Sequence, residues 1–180
     1  MTRIVHRLFA LLLAAATHAA MADELPWKLD MSPDEVRAVT AYGPYKTFRN
    51  GDLETYEGVF EGHKENFQFY FRDGRLDRIG AYLYEGTDAD AAGAKWLAVR
   101  HVMARRYGSV RTPGNISPGD DVPESSATFV NRALEIARTD GKSVMAPLTP
   151  PEGVPVMATL ASGMVEGKRW YYVIFAWVHP

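Results

Sequence analysis

The alternation of apolar and polar residues is clearest near residue 70. From residue 67 to residue 71 every second residue is a phenylalanine, which is typical of a strand with one strongly buried face. Asp73-Gly74 follows as a two-residue hairpin signal, and residues 76–85 form a second apolar strand pattern. With two further strand patterns at residues 45–48 and 53–60, the sequence predicts an antiparallel meander.

A regular hairpin about Asp73-Gly74 would also fix the pairing of the two strands. It predicts Phe71 opposite Leu76. It then predicts Phe69 opposite Arg78 and Phe67 opposite Gly80.

Three segments carry helix signals instead. Ser32-Pro33 followed by Glu35 forms a capping box with proline at the first helical position, and it predicts a short helix that ends before Gly43-Pro44. Residues 87–90 carry a second start signal, and Gly108 ends that helix. Its apolar stripe has helical spacing: Ala92, Trp96, Val99, Met103 and Tyr107. Residues 126–138 predict a third helix.

The C-terminal part returns to strand patterns. Residues 142–146 predict an edge strand, and residues 111–124 a long surface loop. Residues 156–165 and 168–179 predict a hairpin about Glu166-Gly167. Its last strand is apolar on both faces, which predicts a central place in the sheet. The predicted fold is α+β: one domain over residues 23–180, with an antiparallel sheet (meander plus C-terminal hairpin) and helices on one face.

Two four-residue segments repeat one pattern before an aromatic strand. Val59-Phe60-Glu61-Gly62 precedes the first, and Met164-Val165-Glu166-Gly167 precedes the second. This indicates either a duplicated α-then-β unit or two ordinary hairpins that share turn chemistry.

The opening segment, Leu29-Asp30-Met31-Ser32-Pro33-Asp34-Glu35-Val36, followed by a short helix and an aromatic meander, resembles a known family. This is the family of the small lipoprotein in the outer-membrane β-barrel assembly machine. The segment is also similar to the tandem-repeat proteins that inhibit secreted β-lactamases. The resemblance covers roughly residues 27–85. It implies an α-then-β fold and a non-enzymatic protein that binds other proteins.

The N-terminus predicts export. Arg3 and Arg7 precede an apolar run at residues 8–16, and Ala20-Met21-Ala22 provides a cleavage site. That run has nine residues, whereas a bilayer span needs about 20. We therefore interpret residues 1–22 as a cleaved signal peptide, and expect a soluble periplasmic protein. The chain has no cysteine, so neither disulfides nor a lipid-bearing cysteine are expected.

Charge narrows the class of partner. The signal peptide holds two of the 20 basic residues and none of the 22 acidic ones, so the mature net charge is −4. This argues against a general nucleic-acid surface. We expect no nucleic-acid partner and no transmembrane span. Oligomeric state stays open.

Few residues are candidates for metal binding or catalysis. Glu61, His63 and Glu65 alternate and could share a strand face as metal ligands, but Gly62 predicts a turn there, and we interpret the group as exposed. We expect no metal and no cofactor. Asp77, in the meander, and Asp120-Asp121, in the loop, are the carboxylates considered for a hydrolase acting on an envelope polymer.

A basic-aromatic group flanks the Asp73-Gly74 turn: Tyr70, Arg72, Arg75 and Arg78. It is the candidate binding site, for an acidic partner or an anionic glycan. The alternative is a charged turn that keeps the hairpin soluble. The sequence therefore predicts a non-enzymatic binding module of the cell envelope that engages a protein or an envelope polymer. A hydrolase with a carboxylate pair is the alternative.

We expect the mature protein to begin at or near Asp23 and to be recovered from the soluble exported fraction, because Ala20-Met21-Ala22 matches a cleavage site. N-terminal sequencing of the fractionated protein checks this. Membrane-bound protein that retains Met1 would contradict it.

Overall fold

The computed structural model describes residues 25–112, 125–149, 151 and 155–179. The predicted signal peptide and Asp120-Asp121 lie outside these residues. The fold is α+β, with an eight-stranded antiparallel sheet and three helices packed against it. None of the described helices is both long enough and apolar enough to cross a membrane.

The elements follow one another in this order: α1 (Pro33–Arg37), a 3-10 turn (Thr40–Tyr42), β1 (Lys46–Thr47), β2 (Leu53–Phe60), β3 (His63–Arg72), β4 (Arg75–Gly86), α2 (Ala89–Tyr107), β5 (Val110–Arg111), α3 (Ser126–Asp140), β6 (Lys142–Pro147), β7 (Val156–Val165) and β8 (Lys168–Val178). The predicted meander, the two longer helices and the C-terminal hairpin are confirmed.

The strand order in the sheet is β1-β2-β3-β4-β8-β7-β6-β5. From either edge the strands follow chain order towards the centre, where β4 pairs with β8. The predicted central place of the last strand is therefore confirmed. The prediction of an edge strand at residues 142–146 is wrong by one position, because β5 pairs with Ala146 and Pro147 of β6 and forms the edge itself.

The capping box before α1 forms as predicted. The Ser32 hydroxyl accepts a hydrogen bond from the Glu35 backbone N–H, and the Glu35 carboxylate accepts one from the Ser32 N–H. These bonds satisfy backbone donors that the first turn of a helix leaves without partners. They hold the pKa of Glu35 below its ordinary value. α1 ends at Arg37, and the 3-10 turn continues to Gly43.

The predicted pairing of the β3–β4 hairpin is wrong beyond its first pair. Phe71 does lie opposite Leu76, but Phe69 lies opposite Ile79 and Phe67 opposite Ala81. The cause is a β-bulge, because Asp77 is an extra residue on β4 between two paired positions. Without it, the apolar residues that follow on β4 would lie on the opposite face from Leu76.

The three type I′-like turns explain the repeated sequence pattern. Glu61-Gly62, Asp73-Gly74 and Glu166-Gly167 all have positive φ at both residues, as two-residue hairpin turns require. Glu61-Gly62 joins β2 to β3, whereas Glu166-Gly167 joins β7 to β8. In the strand order, the counterpart of the β7–β8 turn is Asp73-Gly74. The two echoing segments are therefore not at equivalent places, which favours shared turn chemistry as their origin.

The helices α2 and α3 cover one face of the sheet. The indole of Trp96 stacks on Phe129 of α3, with ring planes 2° apart and centroids separated by 6.1 Å. Gly93 permits this approach, since a Cβ there would lie 2.6 Å from Cγ1 of Val130. The predicted stripe of α2 faces the core, with Tyr107 only partly buried.

The N-terminal segment covers the same face over β2 and β3. Trp27 lies 4.8 Å from Phe69 and 5.3 Å from Phe67 between ring centroids. Its indole N–H donates to the Tyr45 hydroxyl at 3.1 Å. The part of the covered face that α2 and α3 do not reach is thus sealed by aromatic side chains from residues 27–45.

The tip of the β2–β3 hairpin bends towards the helices. Phe60 lies 5.0 Å from Phe175 between ring centroids, although β3 and β4 separate their strands. Strands in a sheet are about 4.8 Å apart, so a flat sheet would not bring these rings together. Glu61 at the tip forms ion pairs with Arg105 and Arg106 of α2, which fasten the bent tip to the helix.

We expect Trp96→Ala to lower the free energy of unfolding by about 3–5 kcal/mol, the usual cost of removing a large buried aromatic side chain. Trp96 is fully buried in the described structure. His101→Ala, at an exposed position of the same helix, is the matched control and should change little. Chemical denaturation of both variants checks this. A Trp96→Ala midpoint equal to the wild-type value would contradict the placement of the stripe in the core.

Candidate binding surface

One face of the sheet has no described element packed against it. The N-terminal segment, α2 and α3 all contact the side that carries Phe67, Phe69 and Phe175. Successive side chains of a strand point to opposite faces, so the residues between them lie on the other side. We call that side the open face. Its outward positions on β2–β4 and β8 are the following: Glu54, Tyr56, Asn66, Gln68, Tyr70, Arg78, Gly80, Tyr82, Glu85, Lys168, Trp170, Tyr172, Ile174, Ala176 and Val178.

Tyr70 and Arg78 form a pair on the open face, near the end of the sheet that carries the Asp73-Gly74 turn. They lie directly opposite each other on β3 and β4, and the guanidinium carbon of Arg78 lies 3.9 Å from the centroid of the Tyr70 ring. Gly80 leaves room beside them, since a Cβ there would contact Tyr82, Tyr70 and Ile174 at 3.4–3.7 Å. The stack holds the Arg78 side chain across the sheet surface.

A chain of hydroxyl groups extends from this pair. The Tyr70 hydroxyl donates to Oε1 of Gln68 at 2.7 Å, so the short contact between the Tyr70 and Tyr82 hydroxyls has Tyr82 as the donor. Burial raises the pKa of Tyr70 and of Tyr82 above the ordinary tyrosine value. Donation to Tyr70 raises the pKa of Tyr82 further. Both phenols are therefore held neutral.

Asn66 and Glu85 lie next to this chain. Asn66 is only 7% exposed, and its amide donates to the Glu85 carboxylate at 3.4 Å. Its Oδ1 atom has no hydrogen-bond partner among the described residues. Across the β4–β8 boundary, Glu85 lies opposite Tyr172. The rings of Tyr172 and Trp170 stack with centroids 6.4 Å apart and planes 24° apart.

A second aromatic position lies near the β2 edge. Tyr56 is 52% exposed, and its hydroxyl donates to Oε2 of Glu54 at 3.3 Å. The Lys46 ammonium group lies 3.3 Å from the other carboxylate oxygen and 4.9 Å from the centroid of the Tyr56 ring. The charge of Glu54 is thus compensated within the chain. On the opposite side of the face, over β8 and β7, the outward residues become mainly aliphatic: Met157, Thr159, Ala161, Ile174 and Val178.

The four residues predicted as a site fall into two pairs. Tyr70 and Arg78 lie together on the open face. Arg72 instead forms an ion pair with Asp77 at 3.2 Å, and Arg75 donates to the backbone carbonyl of Asp30 at 3.1 Å. The predicted group is therefore one stacked pair and two arginines held by partners at the hairpin end. Its role in binding stays a prediction.

The alternating acids near residue 63 do not converge on a metal position. Glu61 pairs with α2 through Arg105 and Arg106, and Glu65 faces Lys95 of α2 at 3.8 Å. Burial raises the pKa of Glu65, while Lys95 acts in the opposite direction. Within the described residues there is no group of three or more histidine or acidic side chains suited to a metal ion.

A small hollow lies between α3 and β6, away from the open face. It is lined by Thr112, Phe129, Arg132, Ala133 and Ser143, and its empty volume is about 170 Å³. No carboxylate is among these residues. They do not provide a pair of acids for glycan hydrolysis, which needs two carboxyl groups on either side of the bond that is cleaved.

Among the open-face residues that sequence reasoning does not name as a site are Asn66, Tyr82, Glu85, Trp170 and Tyr172. The predicted register of β4, one residue out beyond Leu76, hides Tyr82, whereas the alternation along β3 already places Asn66 on the same face as Gln68 and Tyr70. Trp170 and Tyr172 were assigned only to a central strand. The sequence of β8 carries a usable signal, because every residue from 170 to 174 is bulky and apolar or aromatic. Both faces of this strand are therefore apolar. Such a strand has a second side to cover.

We expect the free energy of unfolding to fall in alkaline solution as Tyr70 and Tyr82 are forced to ionise. Their folded pKa values lie above the unfolded value of about 10. Their contribution is therefore fully present below that value and is lost as the pH rises through the folded pKa. Tyr82→Phe should make this decline shallower, with Tyr172→Phe as the matched control. Urea denaturation from roughly pH 8 to pH 11 checks this, and equal slopes for wild type and Tyr82→Phe would contradict it.

Comparisons with known proteins do not place the chain in a family. No family model, curated protein or solved structure matches it. The resemblance of residues 27–85 to two groups of binding proteins stays an expectation from the sequence. Functional reasoning therefore depends on the geometry of the open face.

Proposed function

We propose that this chain is an exported, non-enzymatic binding module of the cell envelope, and that its open face engages a protein or an envelope polymer. One observation carries the proposal: no described element covers the side of the sheet that presents Tyr56, Tyr70, Tyr82, Trp170 and Tyr172. Tyrosine, tryptophan and arginine are the side chains most enriched at recognition surfaces.

The side chains on this face are also held in place. Tyr82, Tyr70 and Gln68 form a hydrogen-bonded chain, and Arg78 is stacked on Tyr70. Ordering a flexible side chain on binding costs about 0.5–1.5 kcal/mol for each. A surface whose aromatic and polar groups are already fixed avoids much of that cost. This supports recognition by a preformed patch.

The ion pairs of three acidic residues favour a binding protein over the hydrolase alternative. Asp77 is paired with Arg72, Glu54 with Lys46 and Glu61 with two arginines of α2. A catalytic pair needs one carboxyl group that is free to donate a proton and another that stays ionised. Measurement of turnover of purified envelope glycans by wild type and Asp77→Asn tests the alternative.

The periplasm is the proposed compartment. It is supported by the Ala20-Met21-Ala22 cleavage site and by the absence of cysteine, which leaves no attachment point for a lipid. The mature charge of −4 makes protein and neutral polymer partners more favourable than nucleic acid.

We expect Arg78→Ala to weaken capture of partners from an envelope extract by about 30-fold, which corresponds to about 2 kcal/mol for a binding anchor. Arg78 lies within the open face and, among the described residues, contacts the Tyr70 ring. The double variant Arg72→Ala with Arg75→Ala should weaken capture less, because those guanidiniums already have partners in the chain. Quantitative pull-down over a salt series checks both.

Thermal denaturation is the control, since Arg78 is exposed and its removal should leave the midpoint nearly unchanged. A larger loss from the double variant than from Arg78→Ala would move the recognition surface to the hairpin end. Wild-type capture by both variants would contradict recognition through either pair.

A further inference from the structure

The stacked pair Trp170 and Tyr172 forms an aromatic strip on the open face. Both residues point outward from β8 two positions apart, and their ring planes are 24° apart with centroids separated by 6.4 Å. The strip lies where β8 extends beyond the end of β4, because Gly86 pairs with Tyr171 and β4 ends there. The rings are half-buried at their edges and reach the surface of the sheet.

Hydrogen-bonding groups with free capacity lie alongside this strip. Glu85, directly opposite Tyr172, has one side-chain hydrogen-bond partner among the described residues, the amide of Asn66. The Oδ1 atom of Asn66 has none among the described residues, although Asn66 is only 7% exposed. A buried acceptor without a partner has lost its bond to water and gained none in return, which is unfavourable. A bound donor, or water that a ligand replaces, would relieve that cost.

The charges at this end of the face nearly cancel. Glu85 is the carboxylate beside the strip, Lys168 is the cation two positions before Trp170 on the same side of β8, and Lys142 lies opposite Ala161, which itself lies opposite Tyr172. A net charge of only one unit gives little attraction for a phosphate chain or for a strongly acidic polymer. The combination instead suits a neutral ligand that has apolar faces and many hydroxyl groups.

We infer that Trp170, Tyr172, Glu85 and Asn66 form a binding site for a neutral glycan, a chain of pyranose sugars. The C–H face of a pyranose ring is apolar and packs flat on an aromatic ring. Neighbouring hydroxyl groups of the sugar both donate and accept, so they match a carboxylate and an amide held side by side. This inference rests on the proposed binding function and names the class of envelope polymer.

Trp170 also provides a direct signal for binding. Of the four tryptophans, Trp27 and Trp96 are buried in the core and Trp177 packs against Phe60 and Phe67 on the covered face. Trp170 alone points to the open face. A ligand on the strip should therefore change the fluorescence of Trp170 and leave that of the core tryptophans unchanged.

The test titrates the purified mature protein with two neutral probes, the β-1,4-linked tetramers of glucose and of N-acetylglucosamine, and with a tetramer of galacturonic acid. Fluorescence and calorimetry report binding. We expect a neutral tetramer to bind and the acidic one to bind at least about tenfold more weakly, a difference of about 1.4 kcal/mol. Trp170→Ala should abolish the fluorescence change and weaken binding by about tenfold or more.

Matched variants separate the contributions. Trp170→Phe keeps an aromatic face and should retain most of the binding, whereas Glu85→Gln keeps a hydrogen-bonding head and should change affinity for a neutral sugar only a few-fold. Glu85→Ala should lose more. His101→Ala, at an exposed position of α2 on the covered side of the sheet, is the control and should leave binding unchanged. Thermal denaturation shows that each variant is folded.

The results distinguish this inference from the broader function. Failure of both neutral tetramers to bind, with envelope capture still dependent on Arg78, would overturn the glycan site and leave a protein-binding module. Tighter binding of the acidic tetramer, or unchanged binding by Trp170→Ala, would also overturn it. If neither glycan binding nor capture depended on any open-face residue, the proposed function would fail as well.

Discussion

The pairing of β4 with β8 at the centre of the sheet is the constraint on which the rest of the structure depends. It joins the N-terminal meander to the C-terminal hairpin, and it aligns Ile79 with Trp177 and Ala81 with Phe175 on one side. Because a change of register by one residue exchanges the two faces of a strand, this alignment decides which side chains meet α2 and α3. It also decides that Arg78, Tyr82 and Trp170 lie on the other side.

Two β-bulges on β4 preserve that alignment where the alternation of apolar and polar residues along the strand changes. Asp77 is the extra residue on β4 against β3, and Leu83 is the extra residue on β4 against β8. Each bulge brings the next apolar residue of β4 back to the covered face. Glu85 thereby reaches the open face beside Tyr172. The same local irregularities that complete the core thus also assemble the candidate binding surface.

Most of the fold could be predicted from the sequence, because its main signals are local. The Ser32 capping box, the α2 stripe and the Asp73-Gly74 turn each depend on a few neighbouring residues. The candidate site depends on which residues of distant strands lie opposite one another. The bulge at Asp77 shifts that pairing by one residue, and it places Arg78 opposite Tyr70, whereas the regular hairpin pairs Arg78 with Phe69. Leu76 and Ile79 are three residues apart, whereas two residues on one face of a regular strand are an even number apart. This odd spacing is the sign of the bulge in the sequence.

The distribution of charge differs between the two sides of the sheet. On the covered side, the acids of the β2–β3 hairpin are compensated by α2, since Glu61 meets two arginines and Glu65 meets Lys95. These pairs hold a helix against a sheet, and their hydrogen-bonding capacity is used within the chain. On the open face, the polar groups bond only partly to one another, because Asn66 Oδ1 has no partner among the described residues and Arg78 rests on an aromatic ring. Groups that are fixed in position but not fully satisfied are suited to a ligand that supplies the missing bonds.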